Sequence, residues 1–443
     1  MTPAEILEAG YHSVVANPPY ITCKSPEIRE VIRCRYRSAH GNFGLGVPFT
    51  ERLFQLAVPG GWVGEITSNA FCKREHGKIL IEQVLSQLEL REVIDTSGAF
   101  IPGHGTPTVI LVGRNRDPQS GTVRAVRSKR GEPSTPAPSA LAAWVTATAR
   151  RLRPVLEALP LSAVDSARLV LALLSAQAVV HRGRSVPSWG PSEHCAAFLG
   201  RMDCLAVGTD WFTGTSAPSL SAIESESLRC ALSALAPPPG SPDPIAQRGL
   251  GEPFCGPARS GWATWDTDWI GDLYQALCGW AVKNLAFVQT PRFVRDLILD
   301  RALSPAMRFY GLEGFRVIDP ACGSGHLLLD AFWRVFLART DPEEGPAEML
   351  ADTAARLAVT AIHGVDLNPE VVEITRLRLA LAYCDAARIS VERLPALPLR
   401  VEAGDSLLLG RVHPSPPPLR PVPVPVQLEL LSRAISSRSE VAL

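Results

Sequence analysis

Four residues near the start of the chain, Asn17-Pro18-Pro19-Tyr20, follow directly on the short β-branched run Val14-Val15-Ala16. An exocyclic amine on adenine is a poor nucleophile because its lone pair is delocalised into the ring. Two acceptors, the Asn17 side-chain carbonyl and the Pro18 backbone carbonyl, can hold both amino hydrogens and favour a pyramidal nitrogen. The two prolines preset that backbone geometry. Tyr20 can stack on a base, worth about 1–3 kcal/mol in comparable contacts. An amine held this way attacks an electrophilic methyl in line, and none of the ten cysteines is needed as a nucleophile. A base inside a duplex must first be flipped out of the stack. The amide of a protein glutamine offers a similar amine, and a proline-stiffened turn or a Pro-Pro-Tyr ligand for a WW domain uses the same residues without chemistry.

A second set of residues lies far along the chain. The run Phe315–Ile318 is followed by Asp319-Pro320-Ala321-Cys322-Gly323-Ser324-Gly325, and a helical pattern starts near His326. Gly323 and Gly325 let backbone approach a ligand closely at a strand-to-helix turn, and Asp319 can accept from an amino group or receive a cation. No Gly-Lys-Ser/Thr follows, which excludes a P-loop, and the third glycine of a dinucleotide fingerprint is missing. A further strand ends in Gly364-Val365-Asp366-Leu367-Asn368-Pro369, with an acid where ribose hydroxyls are normally bound. Another ends in Gly404-Asp405-Ser406, within reach of an adenine amino group. Upstream, Gln289-Thr290-Pro291-Arg292-Phe293 opens a helix, with Thr290 as its expected cap.

Together these four pieces resemble the S-adenosylmethionine site of amino-methyltransferases. The resemblance implies that Gly323 and Gly325 line the methionine side, that Asp366 holds the ribose and that Asp405 binds the adenine. Asp319, Ala321, Cys322 and Asn368 belong to the same implied cofactor-binding set. Thr290, Pro291 and Phe293 would border the cofactor, Phe293 packing on it.

Basic residues cluster after the first motif. They are Lys24, Arg29, Arg33, Arg35, Arg37 and His40; then Lys73, Arg74, His76 and Lys78; then Arg114, Arg116, Arg124, Arg127, Lys129 and Arg130. Beside a base-flipping site these would contact phosphates, with Lys24, Lys73, Arg74, Lys78 and His104 as the selected candidates. Solvated helix faces, and a tight turn at Gly103-His104-Gly105, account for the same residues without DNA.

Positioning such residues requires a sheet. Short β-branched runs are expected as strands at His12–Ala16, Trp62–Thr67, Glu92–Asp95, Thr108–Val112, Phe315–Ile318, Ala361–Val365 and Leu399–Ala403. Helical patterns lie between most of them, which argues for a parallel, doubly wound sheet with ligands at the carboxyl ends of its strands. At 443 residues the chain is long enough for two or three domains. Composition divides it into an ordered block at 1–130, a linker and partly irregular insert at 131–264, a second ordered block at 265–412, and a Pro-rich tail at 413–443. Lys+Arg and Asp+Glu are equal at 44 each, so bulk charge does not drive nucleic-acid binding and any such surface is a local patch. The most apolar window, Leu169 to Val180, is too short to span a membrane. The start lacks a secretory pattern, and no Cys-x-x-Cys pair marks a zinc or disulfide framework. The expectation is a cytoplasmic protein without a structural metal.

Three stretches of the first block are similar to one family. They are Asn17-Pro18-Pro19-Tyr20-Ile21-Thr22, Thr67-Ser68-Asn69-Ala70-Phe71-Cys72-Lys73-Arg74-Glu75, and Ile94-Asp95-Thr96-Ser97-Gly98-Ala99-Phe100-Ile101-Pro102-Gly103-His104-Gly105-Thr106-Pro107-Thr108. They resemble the adenine-specific DNA methyltransferases of phage-growth-limitation (type-2 BREX) defence systems, as does the block from Trp265-Asp266-Thr267 through Gly404-Asp405-Ser406-Leu407. The resemblance implies methylation of double-stranded host DNA at adenine, marking it as self beside other phage-defence proteins. The motif order departs from the family, since here the catalytic half comes first. The expected fold is therefore α/β: a Rossmann-like S-adenosylmethionine-dependent methyltransferase sheet, circularly permuted, with His12–Ala16 beside Phe315–Ile318 so that Asn17 and Gly323 face one crevice. A protein-glutamine methyltransferase and an inactive DNA- or cofactor-binding subunit from a rearranged gene are the alternatives.

Overall fold

The computed structural model describes residues 1–97, 106–128, 140–157, 267–285, 287–340, 350–389 and 394–412. His104, Lys129, Arg130, the Gly131 to Ser139 linker, most of the insert and the 413–443 tail lie outside the described residues. The chain divides into two compact units, one of Met1–Ser134, Leu285–Thr375 and Pro398–Leu443, the other of Thr135–Asn284 and Arg376–Leu397. Both ordered blocks thus contribute to the first unit, and residues 265–284 fall in the second.

The first unit is built on one eight-stranded sheet. Its strands are β1 (Tyr11–Ala16), β2 (Ala57–Ser68), β3 (Glu89–Asp95), β4 (Thr108–Arg114), β5 (Arg124–Arg127), β6 (Val317–Asp319), β7 (Ile362–Asp366) and β8 (Arg400–Ala403). Their spatial order is β5-β3-β4-β2-β1-β6-β7-β8. β1 and β6, fifth and sixth in that order, are parallel interior neighbours, with Val14 opposite Ile318. Those two strands carry the two principal motifs at their carboxyl ends.

The sheet is mixed rather than parallel throughout, because β4 runs antiparallel to both β2 and β3. A parallel neighbour needs a crossover, usually through a helix. Here the chain instead turns back on itself, and Thr96 Oγ1 donates to Thr108 O at 2.9 Å across the returning pair. β5 was not expected as a strand. All four of its residues are exposed, as suits the charged edge of a sheet. It pairs in parallel with β3, and Arg124 reaches Glu92 at 3.4 Å.

Helices cover both faces. Helix α1 (Pro3–Ile6), α2 (Pro26–Arg35) and α3 (Gly46–Leu56) lie on one side. Ser25 caps α2, its Oγ accepting from Ile28 N at 3.2 Å, and Pro26 supplies a preset first turn. Leu7, Ile32, Tyr36, Leu53 and Phe54 pack there against Val14, Val63, Val109, Ile318 and Val365. These strand residues share one face because side chains alternate along a strand. On the other face a Cβ at Gly64 would meet Ala302 and Ile298, and one at Gly364 would meet Leu328. The helix Arg292–Ile298, the π turn Leu299–Leu303 and the helix His326–Thr340 therefore cover that side.

In the second unit the helix Ala140–Glu157 packs on Asp268–Leu277. There the fully buried Arg378 is held by Asp268 and by Thr267 Oγ1 at 3.0 Å.

Candidate active site

The loop leaving β1 is braced by its own side chains. Asn17 Nδ2 donates to Thr290 Oγ1 at 3.0 Å, and Asn17 Oδ1 accepts from the Tyr20 hydroxyl at 2.6 Å. The same hydroxyl lies 3.1 Å from Ile66 O on β2. These contacts orient the Asn17 amide with its nitrogen toward Thr290 and its oxygen toward Tyr20, leaving a second lone pair on that oxygen for another donor. Burial and the nearby Glu65 carboxyl push the Tyr20 phenol well above its ordinary range, so it stays a neutral donor. The ring is partly buried and its hydroxyl is committed inward.

Thr290 is not the helix cap that its sequence position suggested. Pro291 occupies the cap position without a side-chain bond. The buried Thr290 hydroxyl instead faces Asn17. Phe293 is 53% exposed.

The loop leaving β6 is held by carboxylates. Asp319 Oδ1 accepts from Ala321 N at 3.0 Å. Asp366, at the end of β7, accepts from Gly323 N at 2.8 Å with one oxygen and from Asn368 N at 2.9 Å with the other. Gly323 and Gly325 have φ of +52° and +82°. A Cβ at Gly325 would strike Thr375 at 2.6 Å, and Thr375 Oγ1 donates to Gly323 O at 2.8 Å. Only glycine satisfies both the backbone and the space there. Burial raises the Asp319 carboxyl to about 8, with Asp366 adding to the rise; Asp366 itself is raised by burial. Burial also pushes the Cys322 thiol far up, so it is an inert thiol rather than a nucleophile.

At the end of β8, Asp405 Oδ1 accepts from Leu407 N at 2.9 Å and Leu408 N at 3.1 Å. The Asn368 side-chain nitrogen is buried without a hydrogen-bond partner, while its oxygen accepts from Glu370 N at 3.0 Å.

Several contributors were missed in the sequence. Gln289 Nε2 donates to Ser324 Oγ at 2.9 Å, tying the Gln-Thr-Pro segment to the glycine loop. The Phe287 ring lies 3.3 Å from where a Gly323 Cβ would sit. Gln289 stands next to Thr290 in the segment already singled out and Phe287 three residues before Thr290, so the signal was present in their neighbourhood. Glu65 had none: it lies in an apolar strand, opposite Ala16, and is fully buried.

The basic clusters separate on inspection. Lys24, Lys73, Arg74 and Lys78 are exposed. Arg35 and Arg37 are internal ties, Arg37 Nε donating to Gln83 Oε1 at 2.9 Å. Arg114 donates to Gly60 O at 2.9 Å and stacks over Trp62, and Arg116 pairs with Glu89. No helix among the described residues is long and apolar enough to cross a membrane.

Two loops thus leave the carboxyl ends of adjacent parallel strands, one rich in acceptors and one in glycine, joined through Thr290 and Gln289. Residues 3–101 match the family model of the Eco57I restriction-modification methylases. The chain is 52% identical over 143 residues to the adenine-specific methyltransferase PglX of Streptomyces coelicolor, a match covering 30% of this chain and 12% of that protein. It is 29% identical over 114 residues to the type II methyltransferase M.XhoI of Xanthomonas vasicola, 24% of this chain and 20% of that one. It is 31% identical over 84 residues to M.BstVI of Geobacillus stearothermophilus, 18% of this chain and 15% of that one. Part of the chain is thus similar to segments of these methyltransferases, and the chain aligns with no more than a fifth of the length of these relatives.

Proposed function

We propose that this protein is an adenine-specific DNA methyltransferase that uses S-adenosylmethionine. The observation that carries the reading is the hydrogen bond from Asn17 to Thr290, which joins the amine-holding loop to the segment bordering the glycine loop.

The residues present suit the cofactor. Gly323 and Gly325 hold the turn at positive φ, with Phe287 and Thr375 packed into the space a Cβ would need. Burial holds the Asp319 and Asp366 carboxyls above their ordinary range, and a cationic ligand carrying a sulfonium and an α-ammonium would draw them back toward the ionised form. The unpartnered Asn368 nitrogen is a donor available to a hydroxyl or carboxylate oxygen. In this reading Gly323, Gly325, Ala321, Cys322 and Asp319 hold the methionine end, Asp366 and Asn368 the ribose, and Asp405 the adenine. Thr290 and Pro291 border the site, and the exposed Phe293 is free to pack on a ligand. The bound cofactor supplies the electrophilic methyl group.

The chain's own task is to present the amine. Asn17 Oδ1 and the Pro18 carbonyl accept its two hydrogens, the Tyr20 ring flanks the flipped base, and the prolines keep the acceptors in place before substrate arrives. Lys24, Lys73, Arg74 and Lys78, all exposed, are the proposed phosphate contacts. We read the sheet as circularly permuted, a reading supported by β6, β7 and β8 continuing outward from β1 although they follow it in the chain. The expectation of phage-defence partners goes with the family resemblance.

The test is transfer of tritiated methyl groups from S-adenosylmethionine to double-stranded DNA, paired with sequencing of adenine methylation in cells with and without the gene. Label on a glutamine-bearing protein but not on DNA would select the glutamine reading. Cofactor binding with transfer to neither would select an inactive subunit.

A further inference from the structure

The loop after β8, from Gly404 to Arg411, has little regular structure, yet five of its eight carbonyls are held from the N-terminal segment. Arg52 on α3 is 1% exposed. Its Nε donates to Ser406 O at 3.2 Å, its Nη1 to Arg411 O at 2.8 Å, and its Nη2 to Leu409 O at 3.2 Å and Leu7 O at 3.3 Å. Arg35 at the end of α2 donates through Nε to Leu407 O at 2.9 Å and through Nη2 to Gly410 O at 2.7 Å and Leu409 O at 3.4 Å. The Tyr36 hydroxyl adds a bond to Leu407 O at 2.9 Å. From the opposite side, Ser406 Oγ donates to Pro320 O at 2.6 Å, joining the loop to the turn after β6.

We propose that Arg35 and Arg52 are positioning residues that preset the adenosine end of the methyl-donor site. This rests on the functional reading above, which puts Asp405 against the adenine. The argument is one of selectivity. A buried guanidinium beside a half-buried one is repelled by it and loses hydration, and only well-placed acceptors offset this. Here the acceptors are backbone carbonyls, so one conformation of the loop is favoured over the many it would otherwise sample. In that conformation the Leu407 and Leu408 amides fall on Asp405 Oδ1 and orient its carboxylate. An unclamped loop would have to be ordered by the ligand, and that cost would appear as lost affinity. Arginine suits the role because its planar fork spans several carbonyls, which an ammonium does not. The consequence is that the later segment, which carries the donor-site motifs, depends on α2 and α3 for its adenosine pocket.

The experiment is calorimetric titration of the full chain with S-adenosylhomocysteine, together with amide hydrogen exchange. Arg35→Gln should weaken binding by about tenfold, in line with the loss of charge-assisted bonds. Exchange should quicken at Leu407 and Leu408 but not at Gly323. Arg35→Lys should recover only part of the loss. Arg52→Met should give the same pattern if it folds; Arg35 lies nearer the surface and keeps the test decisive if it does not. Unchanged affinity in Arg35→Gln, or loosening that extends equally to Gly323, would overturn the proposal while leaving the donor site standing. Failure of the unaltered protein to bind S-adenosylhomocysteine would overturn the donor-site reading and this inference with it.

Discussion

The loops after β1 and β6 leave neighbouring parallel strands and are stiffened by opposite means. After β1, prolines restrict the backbone and side chains bond to side chains, with Asn17 between Thr290 and Tyr20. After β6, glycines free the backbone, and buried carboxylates of Asp319 and Asp366 take up its amides. On the proposed function, the difference follows from what each loop must do. A loop that holds a small planar amine needs a few acceptors at fixed positions, so its backbone can be rigid and closed. A loop that lies along an extended ligand needs bare backbone, and rigidity has to come from outside it. Each loop also has a buried carboxyl close by, Glu65 for the first and Asp319 for the second, both raised to about 8 by burial.

The comparison is broken most sharply at Asn17. Asn17→Ala is expected to lower methyl transfer to DNA by about 10²–10³-fold, the scale of losing one positioned polar group. The dissociation constant for S-adenosylhomocysteine should stay nearly unchanged, and equal losses in rate and affinity would show that the two loops do not divide the work. Asp366→Ala should do the reverse, weakening cofactor binding by about 1–3 kcal/mol through a lost pair of bonds. An unchanged calorimetric constant would remove Asp366 from the site.

Thr290 lies between the loops and sharpens the contrast. If its main partner is Asn17, Thr290→Val should reduce kcat by about tenfold with cofactor affinity unaltered, and Thr290→Ser should restore activity. A rise in KM for the cofactor with kcat intact would assign Thr290 to the donor side instead.

The smallest effect concerns the two carboxyls. Both have folded-state values near 8, above the ordinary carboxylate range, so the folded protein holds more protons than the unfolded chain between about pH 4 and 8. Stability from these groups is therefore greatest at low pH, declines as pH rises through that window, and levels off above it. Glu65→Gln and Asp319→Asn should each raise the melting temperature by roughly 2–4 °C at pH 9 without ligand and by less at pH 5. With S-adenosylhomocysteine present, the Glu65→Gln gain should persist while the Asp319→Asn gain disappears. Thermal melts at the two pH values with and without ligand check both halves.

Much of the site was legible because chemistry and chain punctuation coincide in it. Asn17-Pro18-Pro19-Tyr20 and Asp319 to Gly325 sit at strand ends marked by β-branched residues on one side and Pro or Gly on the other. The adjacency of β1 and β6 followed from the way doubly wound sheets place ligands at strand ends, independent of chain order. The antiparallel β4 and the exposed β5 escaped this reasoning. Direction is set by the path of the connection and an edge strand by the vacancy beside it, and neither leaves a period-2 hydrophobic pattern that separates it from a parallel interior strand. Arginines were read least well. Arg35 stands in a run with Lys24, Arg29 and Arg33 that looks like one basic surface, yet it turns inward to Leu407 and Gly410.

The amino-acid sequence by itself determined which residue types stand at the strand ends, and so the chemistry they can perform: acceptors after β1, bare backbone after β6, acids after β6, β7 and β8. Local order suffices for this, because strand, turn and motif lie within a few residues of each other. Only the tertiary structure decided which of them meet. Asn17 finds Thr290 across 273 positions of chain, and Arg52 finds Ser406 across 354. Pairings at that separation depend on how the sheet orders its strands and on which buried donors would otherwise lack an acceptor, and both are properties of the packed chain as a whole.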